Sequence, residues 1–244
     1  MTIDAPAFLI LSSVALLSAA TQGFTGFGFG LVGMAFCTWL LGPRNANVLW
    51  SMLAVVLTAI MWARLRADAR LGVALCLAAG GLLGLPAGVW ILANADERLL
   101  SRFVGAAILL FATYSLLNPR FHRRGISPAW GVSAGALGGF FSGATTMGGP
   151  AVVIFLLLLG LGKDGIKGTL AAYFTLMTLC KLAIMGGWHG LITPAHLVWT
   201  AALCAPMVGG MVGGMYGSRF LSSDTMRKVI CALLLLPGAM LLLR

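Results

Sequence analysis

Eight apolar runs, at about residues 7–41, 45–63, 71–93, 99–117, 128–161, 168–187, 195–216 and 225–243, leave only short polar connections between them. No stretch of soluble-domain size remains. The chain of 244 residues is 60% hydrophobic and 9% charged, with a mean hydropathy of +1.00, far outside the range of a soluble globular domain. It is therefore expected to be an all-α polytopic membrane protein. The net charge of +10 would suggest nucleic acid in a soluble chain. Here the basic residues form short clusters between apolar runs, such as Arg64, Arg66 and Arg70, or Arg120, Arg123 and Arg124. They read as topology signals facing a lipid bilayer, with no nucleic-acid partner.

The first and fifth runs exceed 30 residues, and as single helices they would be about 50 Å long against a hydrocarbon core of about 30 Å. Each is interrupted near its middle. The first break reads GFTGFGFG over Gly23–Gly30 and the second FFSGATTMGGP over Phe140–Pro150. Each glycine in a helix interior costs about 1 kcal/mol relative to alanine, so such concentrations need a purpose.

An offset of 120 pairs Gly23 with Gly143, Thr25 with Thr145, Gly28 with Gly148 and Gly30 with Pro150. At a slightly larger offset, GLPAG (84–88) falls on GMVGG (210–214), and Leu100-Ser101-Arg102 falls on Thr225-Met226-Arg227. A duplicated chain is expected, with a first repeat over 1–122 and a second over 123–244.

Charge distribution distinguishes two topologies. If every run crosses once, the basic residues outside Lys181 divide eight to seven between the two faces. If runs one and five turn back on themselves, the division is eleven to four, with only Arg44, Arg98, Arg102 and Arg244 on the poorer face. The positive-inside rule favours the second arrangement. Each repeat then comprises a re-entrant helical hairpin (7–41 or 128–161) and three transmembrane helices (45–63, 71–93, 99–117; 168–187, 195–216, 225–243). That count is odd, so the two repeats are inverted, and both termini are expected on the periplasmic side. The hairpin arms are expected to hold 13 to 16 residues each, about 20 to 24 Å.

Irregular backbone at membrane depth survives only inside protein or against a water-filled cavity, so both breaks are expected to face inward. The arm after each break presents a helix N-terminus, around Gly28 and Gly148, with unpaired N–H groups and partial positive charge. Two such ends converging would hold an anion. Gln22, Thr25, Ser142, Thr145 and Thr146 could add hydrogen bonds. A plainer reading of the same glycines and hydroxyls is close helix packing.

Lys181, in YFTLMTLCKLAIMGG, is the one charge well inside a predicted crossing. It can face an anionic substrate, or its stem can carry the ammonium out to the interface. In the repeat alignment Thr58 is its counterpart. His189 and His196 are expected at the interface beside Trp188 and Trp199, and the stretch 209–217 reads as a small-residue packing face. Such faces permit a homodimer without requiring one.

Other chemistry finds little support. All six acidic residues fall in predicted connections or at the N-terminus, so no buried carboxylate relay is expected. The five cysteines lie scattered in apolar runs, which suits packing rather than a metal or redox pair. Gly162-Lys163 is followed by Asp164, so it is no nucleotide-binding loop, and no cofactor is expected. With no basic residue before its first apolar run, the chain is expected to keep that segment rather than lose it as a signal peptide. An intramembrane serine protease would need glycine where Phe140 precedes Ser142.

The eight-run layout with paired breaks QGFTGFGFGL (22–31) and SGATTMGGPAV (142–152) resembles the TauE/SafE sulfite exporter family of bacterial membrane transporters. That resemblance implies a transporter of sulfite or an organosulfonate across the bacterial inner membrane rather than an enzyme. A secondary transporter working by alternating access between the inverted halves is expected, with an anion channel on the same scaffold as the alternative. It places substrate contacts at Gly23, Thr25, Gly26 and Gly28 in the first break. In the second break it places them at Ser142, Gly143, Thr145, Thr146, Gly148 and Gly149. Phe27 and Phe29 stand where many members have small residues and are expected to narrow the first break.

Overall fold

A computed structural model describes residues 5–117, 127, 129–218, 220, 234, 235 and 237–243. Eight helices account for most of them: α1 (Ala5–Thr25), α2 (Phe29–Leu65), α3 (Leu71–Asn94), α4 (Glu97–Leu117), α5 (Trp130–Thr145), α6 (Gly149–Leu158), α7 (Lys163–Gly187) and α8 (Pro194–Gly217). The expected helix over 225–243 lies largely outside the described residues. Five helical spans are long and apolar enough to cross a membrane, Pro6–Thr25, Pro43–Leu65, Leu71–Asn94, Lys163–Gly187 and Pro194–Gly217. No strand occurs among the described residues.

α2 is two helices in sequence. Gly42 sits at φ 76° and ψ 160°, outside the helical region, and Pro43 opens the second piece, where its missing N–H costs nothing. The pieces are Phe29–Leu41 and Pro43–Leu65, close to the arm and crossing expected from the sequence.

Both long runs turn back on themselves. In the second, Gly131 on α5 lies against the Phe155 ring on α6, and Gly138 lies against Val152, so the helices run antiparallel from the break. In the first, Ile10 and Val14 line one surface groove with Phe36, Trp39 and Leu40. The breaks themselves occupy Gly26–Gly28 and Thr146–Gly148, again 120 residues apart.

One expectation about the arms changes. α1 has 21 residues, about 31 Å at 1.5 Å per residue, and so is as long as a complete crossing. It continues through Gly23 because that glycine serves packing, not bending: a Cβ there would strike the Met211 carbonyl of α8. The other arms are shorter, 13 residues in Phe29–Leu41, 16 in α5 and 10 in α6.

Two glycine seams set the architecture. α3 and α5 lie side by side and parallel, with Gly80, Gly84 and Gly88 pressed on the carbonyls of Val132, Ala136 and Phe140. From the other side, Gly135 and Gly139 press on Leu77 and Gly81. α1 and α8 do the same, with Gly210 and Gly214 against the carbonyls of Leu16 and Ala20. Backbones this close gain dispersion contacts that any side chain would forbid, which in a membrane replaces the hydrophobic driving force. The 209–217 stretch is thus the packing face its composition suggests, although Gly209, Gly213 and Gly217 meet nothing.

The ends of the bundle are defined by polar contacts. The start of α7 lies beside the α2–α3 connection, where the Arg70 N–H donates to Thr169 Oγ1 at 3.0 Å and Gly165 approaches the Asp68 carbonyl. This puts Arg64, Arg66 and Arg70 at the same end as Lys163 and Lys167. Arg44 belongs to the other end, donating from Nε to Leu92 O and from Nη2 to Ala95 O, both at 3.1 Å.

Candidate functional site

The first break is a turn made by two glycines in the left-handed region, Gly26 at φ 90° and Gly28 at φ 104°. Thr25 Oγ1 stabilises the turn, accepting from Phe27 N at 3.2 Å and donating to the Thr21 carbonyl at 2.9 Å. Gln22 reaches across it, its Oε1 accepting the N–H of Phe29 at 3.0 Å and thereby capping the N-terminus of α2. The Phe29 ring stacks on Trp50 with centroids 5.8 Å apart, and Phe27 meets Phe111 edge to face at 5.7 Å.

The second break is built differently. The position equivalent to Gly26 is Thr146, which keeps the left-handed conformation at φ 62° and is the one non-glycine residue with positive φ among those described. For a β-branched side chain that conformation is strained, by about 1–3 kcal/mol. Lys181 holds it. Its Nζ donates to Thr146 Oγ1 at 2.9 Å and to the Ser142 carbonyl at 2.6 Å.

Lys181 is 1% exposed, so the ammonium does not reach outward along its stem. A buried charge is tolerated where hydrogen bonds replace water, and here two of its three N–H groups are engaged by protein oxygens. The N-cap of α6 is Gly148, which has no side chain to cap with, and Pro150 removes one donor from its first turn.

The two breaks meet. Gly30 lies against the Thr146 carbonyl, and a Cβ added to Gly149 would stand 3.4 Å from the Phe27 ring. Between them is a small cavity of about 40 Å³, room for about three waters. Of the residues singled out in the sequence, Gln22, Gly28, Ser142, Thr146 and Gly149 line it. Lys181 touches two of these.

The remainder stand back from the cavity. Gly23 and Gly143 are packing positions on α8 and α3, and Thr145 Oγ1 donates to the Phe141 carbonyl at 2.8 Å. Gly26 rests on the stem of Lys167, and Gly148 on the Gly138 carbonyl. Thr25 is occupied within its own turn.

Sequence reading did not place Thr58 or Thr178 among the substrate contacts, although both line the cavity. They are 120 residues apart, so the offset between the breaks would have found them. At the same offset the residue opposite Lys181 is Met61, a buried apolar residue, where the sequence alignment set Thr58. His196 lies in the first turn of α8, at the end of a candidate span, but is not open to solvent there. It is 2% exposed, and its Nδ1 joins Thr193 in a capping box that starts α8.

Comparison with known protein families gives a match to the sulfite exporter TauE/SafE model over residues 11–241, nearly the whole chain. The chain belongs to the TauE/SafE sulfite exporter family. No curated protein and no solved structure is significantly similar to it. Family and fold agree on a multi-pass membrane transport protein, since the family consists of transporters rather than enzymes and five helical spans are long and apolar enough to cross a membrane. Among the described residues of this TauE/SafE chain, no group of three or more His, Cys, Asp or Glu side chains is placed to hold a metal ion.

Proposed function

We propose that the protein moves a small oxyanion, sulfite or an organosulfonate, across the bacterial inner membrane by alternating access between two inverted halves. The observation that carries this reading is the meeting of two helix breaks at a polar cavity beside a fully buried lysine. Lys181 has one N–H beyond the two given to Ser142 and Thr146. The uncapped start of α6 adds backbone N–H groups and the positive end of a helix dipole. Thr178 and Thr146 offer hydroxyls, and Gln22 its amide N–H groups. A tetrahedral or pyramidal oxyanion fills a space of about three waters and can accept from several of these at once.

The packing supports such a movement. Each hairpin's first arm is joined by a glycine seam to a helix of the opposite half, α1 to α8 and α5 to α3. Rocking one half against the other would therefore carry a break with it, exposing the cavity first to one side and then to the other. The end bearing Arg64, Arg66, Arg70, Lys163 and Lys167 is assigned to the cytoplasm by the positive-inside rule, which puts both termini in the periplasm.

The test is flux of labelled sulfite and of an organosulfonate in proteoliposomes, with and without a proton gradient. Saturable, competable flux supports the carrier. Flux that rises without saturation indicates a channel on the same scaffold, and no flux from folded protein refutes the substrate class.

A further inference from the structure

Asn47 and Lys167 are 120 residues apart, the spacing of the two breaks. They do the same thing in opposite halves. Asn47 Nδ2 donates to the Ala144 carbonyl at 2.9 Å, in the last turn of α5. Lys167 Nζ donates to the Gly23 carbonyl at 3.3 Å, in the last turn of α1. Carbonyls at a helix C-terminus lack intrahelical partners, and a donor from outside satisfies them. Each half thus latches the hairpin tip of the other.

The latch itself requires no charge, because at position 47 a buried neutral amide performs it over a shorter distance. The ammonium at 167 exceeds that task. Its stem crosses the bare Cα of Gly26, where a Cβ would come within 2.8 Å of Lys167 Cγ. Asp164, one turn before it on α7, acts on it electrostatically, and among the described residues its hydrogen bond goes to the Gly23 carbonyl. It is half-buried at the basic end of the bundle, with exposed Arg64, Arg66 and Arg70 on the neighbouring connection. A charged donor whose hydrogen bond is a long one to a neutral carbonyl is readily taken by a better acceptor, and an oxyanion is one.

We propose that Lys167 is a second anion-binding residue, and that an anion reaching the first break takes its ammonium from the Gly23 carbonyl and frees that hairpin tip. The first latch is thereby opened by substrate, while the Asn47 latch on the second tip is indifferent to it. This rests on the oxyanion-carrier reading above, and adds to it a place where substrate binding is converted into motion.

The experiment uses the full chain in detergent, with sulfite as the probe. Binding is measured by calorimetry, and amide hydrogen exchange is followed in peptides covering 22–28 and 142–148. In the wild type, sulfite should speed exchange several-fold at 22–28 and leave 142–148 unchanged or slower. Lys167→Gln keeps a neutral donor, so it should hold the tip as firmly without sulfite, lose the sulfite response, and bind sulfite about tenfold more weakly. Lys167→Arg should keep the response.

Wild-type binding and an unchanged response in Lys167→Gln would overturn the latch and leave the carrier reading standing. A wild type that melts normally yet binds no sulfite would overturn both. Faster exchange at 142–148 in place of 22–28 would assign the substrate-opened tip to the second hairpin and likewise overturn the proposal.

Discussion

Replacing Lys181 by methionine separates the lysine's part in the fold from its part in binding. Methionine is similar in length and apolar, so it fills the same buried volume and abolishes the two bonds to Ser142 O and Thr146 Oγ1. Hydrogen bonds to a charged group contribute about 1.5–3 kcal/mol each, but removing the ammonium also removes the cost of burying it. The Ser142 carbonyl keeps the Thr146 N–H at 2.9 Å, so no buried acceptor there is orphaned. Stability should consequently change little, by about 1 kcal/mol in either direction.

Binding should change much more. At 4 Å a unit charge pair is worth about 4 kcal/mol at an effective dielectric of about 20, and dehydration of the anion takes back part of it. A net loss of about 2–3 kcal/mol corresponds to a weakening of about 30- to 150-fold. Lys181→Arg, which keeps the charge but brings a larger planar head to a site fitted to an ammonium, should lose about fivefold. Calorimetric titration with sulfite, paired with melting curves in the same detergent, reads both quantities. Equal affinities for the methionine and arginine variants would show that the charge does not meet the anion, and the argument from burial to substrate contact would fail.

Other outcomes follow from the same geometry. Gly28→Leu forces a side chain into φ 104° and onto Thr21, so transport should be abolished in protein that still folds; unchanged uptake would remove the first break from the site. Gly84→Ala drives a Cβ into the Ala136 carbonyl and must separate α3 from α5, costing about 3 kcal/mol or more, whereas Gly213→Ala meets nothing and should be neutral or stabilising by about 1 kcal/mol. Thermal unfolding distinguishes them, and equal melting points would refute the seam. Thr146→Gly relieves left-handed strain but loses the Lys181 bond, so anion affinity should fall while the melting temperature stays near that of the wild type. Thr193→Ala removes half of the capping box at α8 and should cost about 1 kcal/mol without altering substrate affinity.

By itself the sequence determined that the chain is helical and lives in a membrane, where its helices begin and end, and where two of them break. Those properties depend on short-range causes: runs of apolar residues, glycines that accept positive φ, and prolines that start helices. The same local signals could not tell a glycine that bends the chain, such as Gly26 or Gly28, from one that admits a neighbouring backbone, such as Gly23 or Gly143. That distinction depends on what lies opposite, residues about 190 positions away for Gly23. Lys181 shows the same limit. Its depth was evident, but only the position of α5 decided that the ammonium turns inward to Ser142 and Thr146 rather than outward. Asn47 and Lys167 looked like ordinary residues near helix starts until the tertiary structure set each beside the open carbonyls of a hairpin from the other half. A helix end advertises its unpaired groups in sequence, whereas the donor that satisfies them is chosen by packing across the whole molecule.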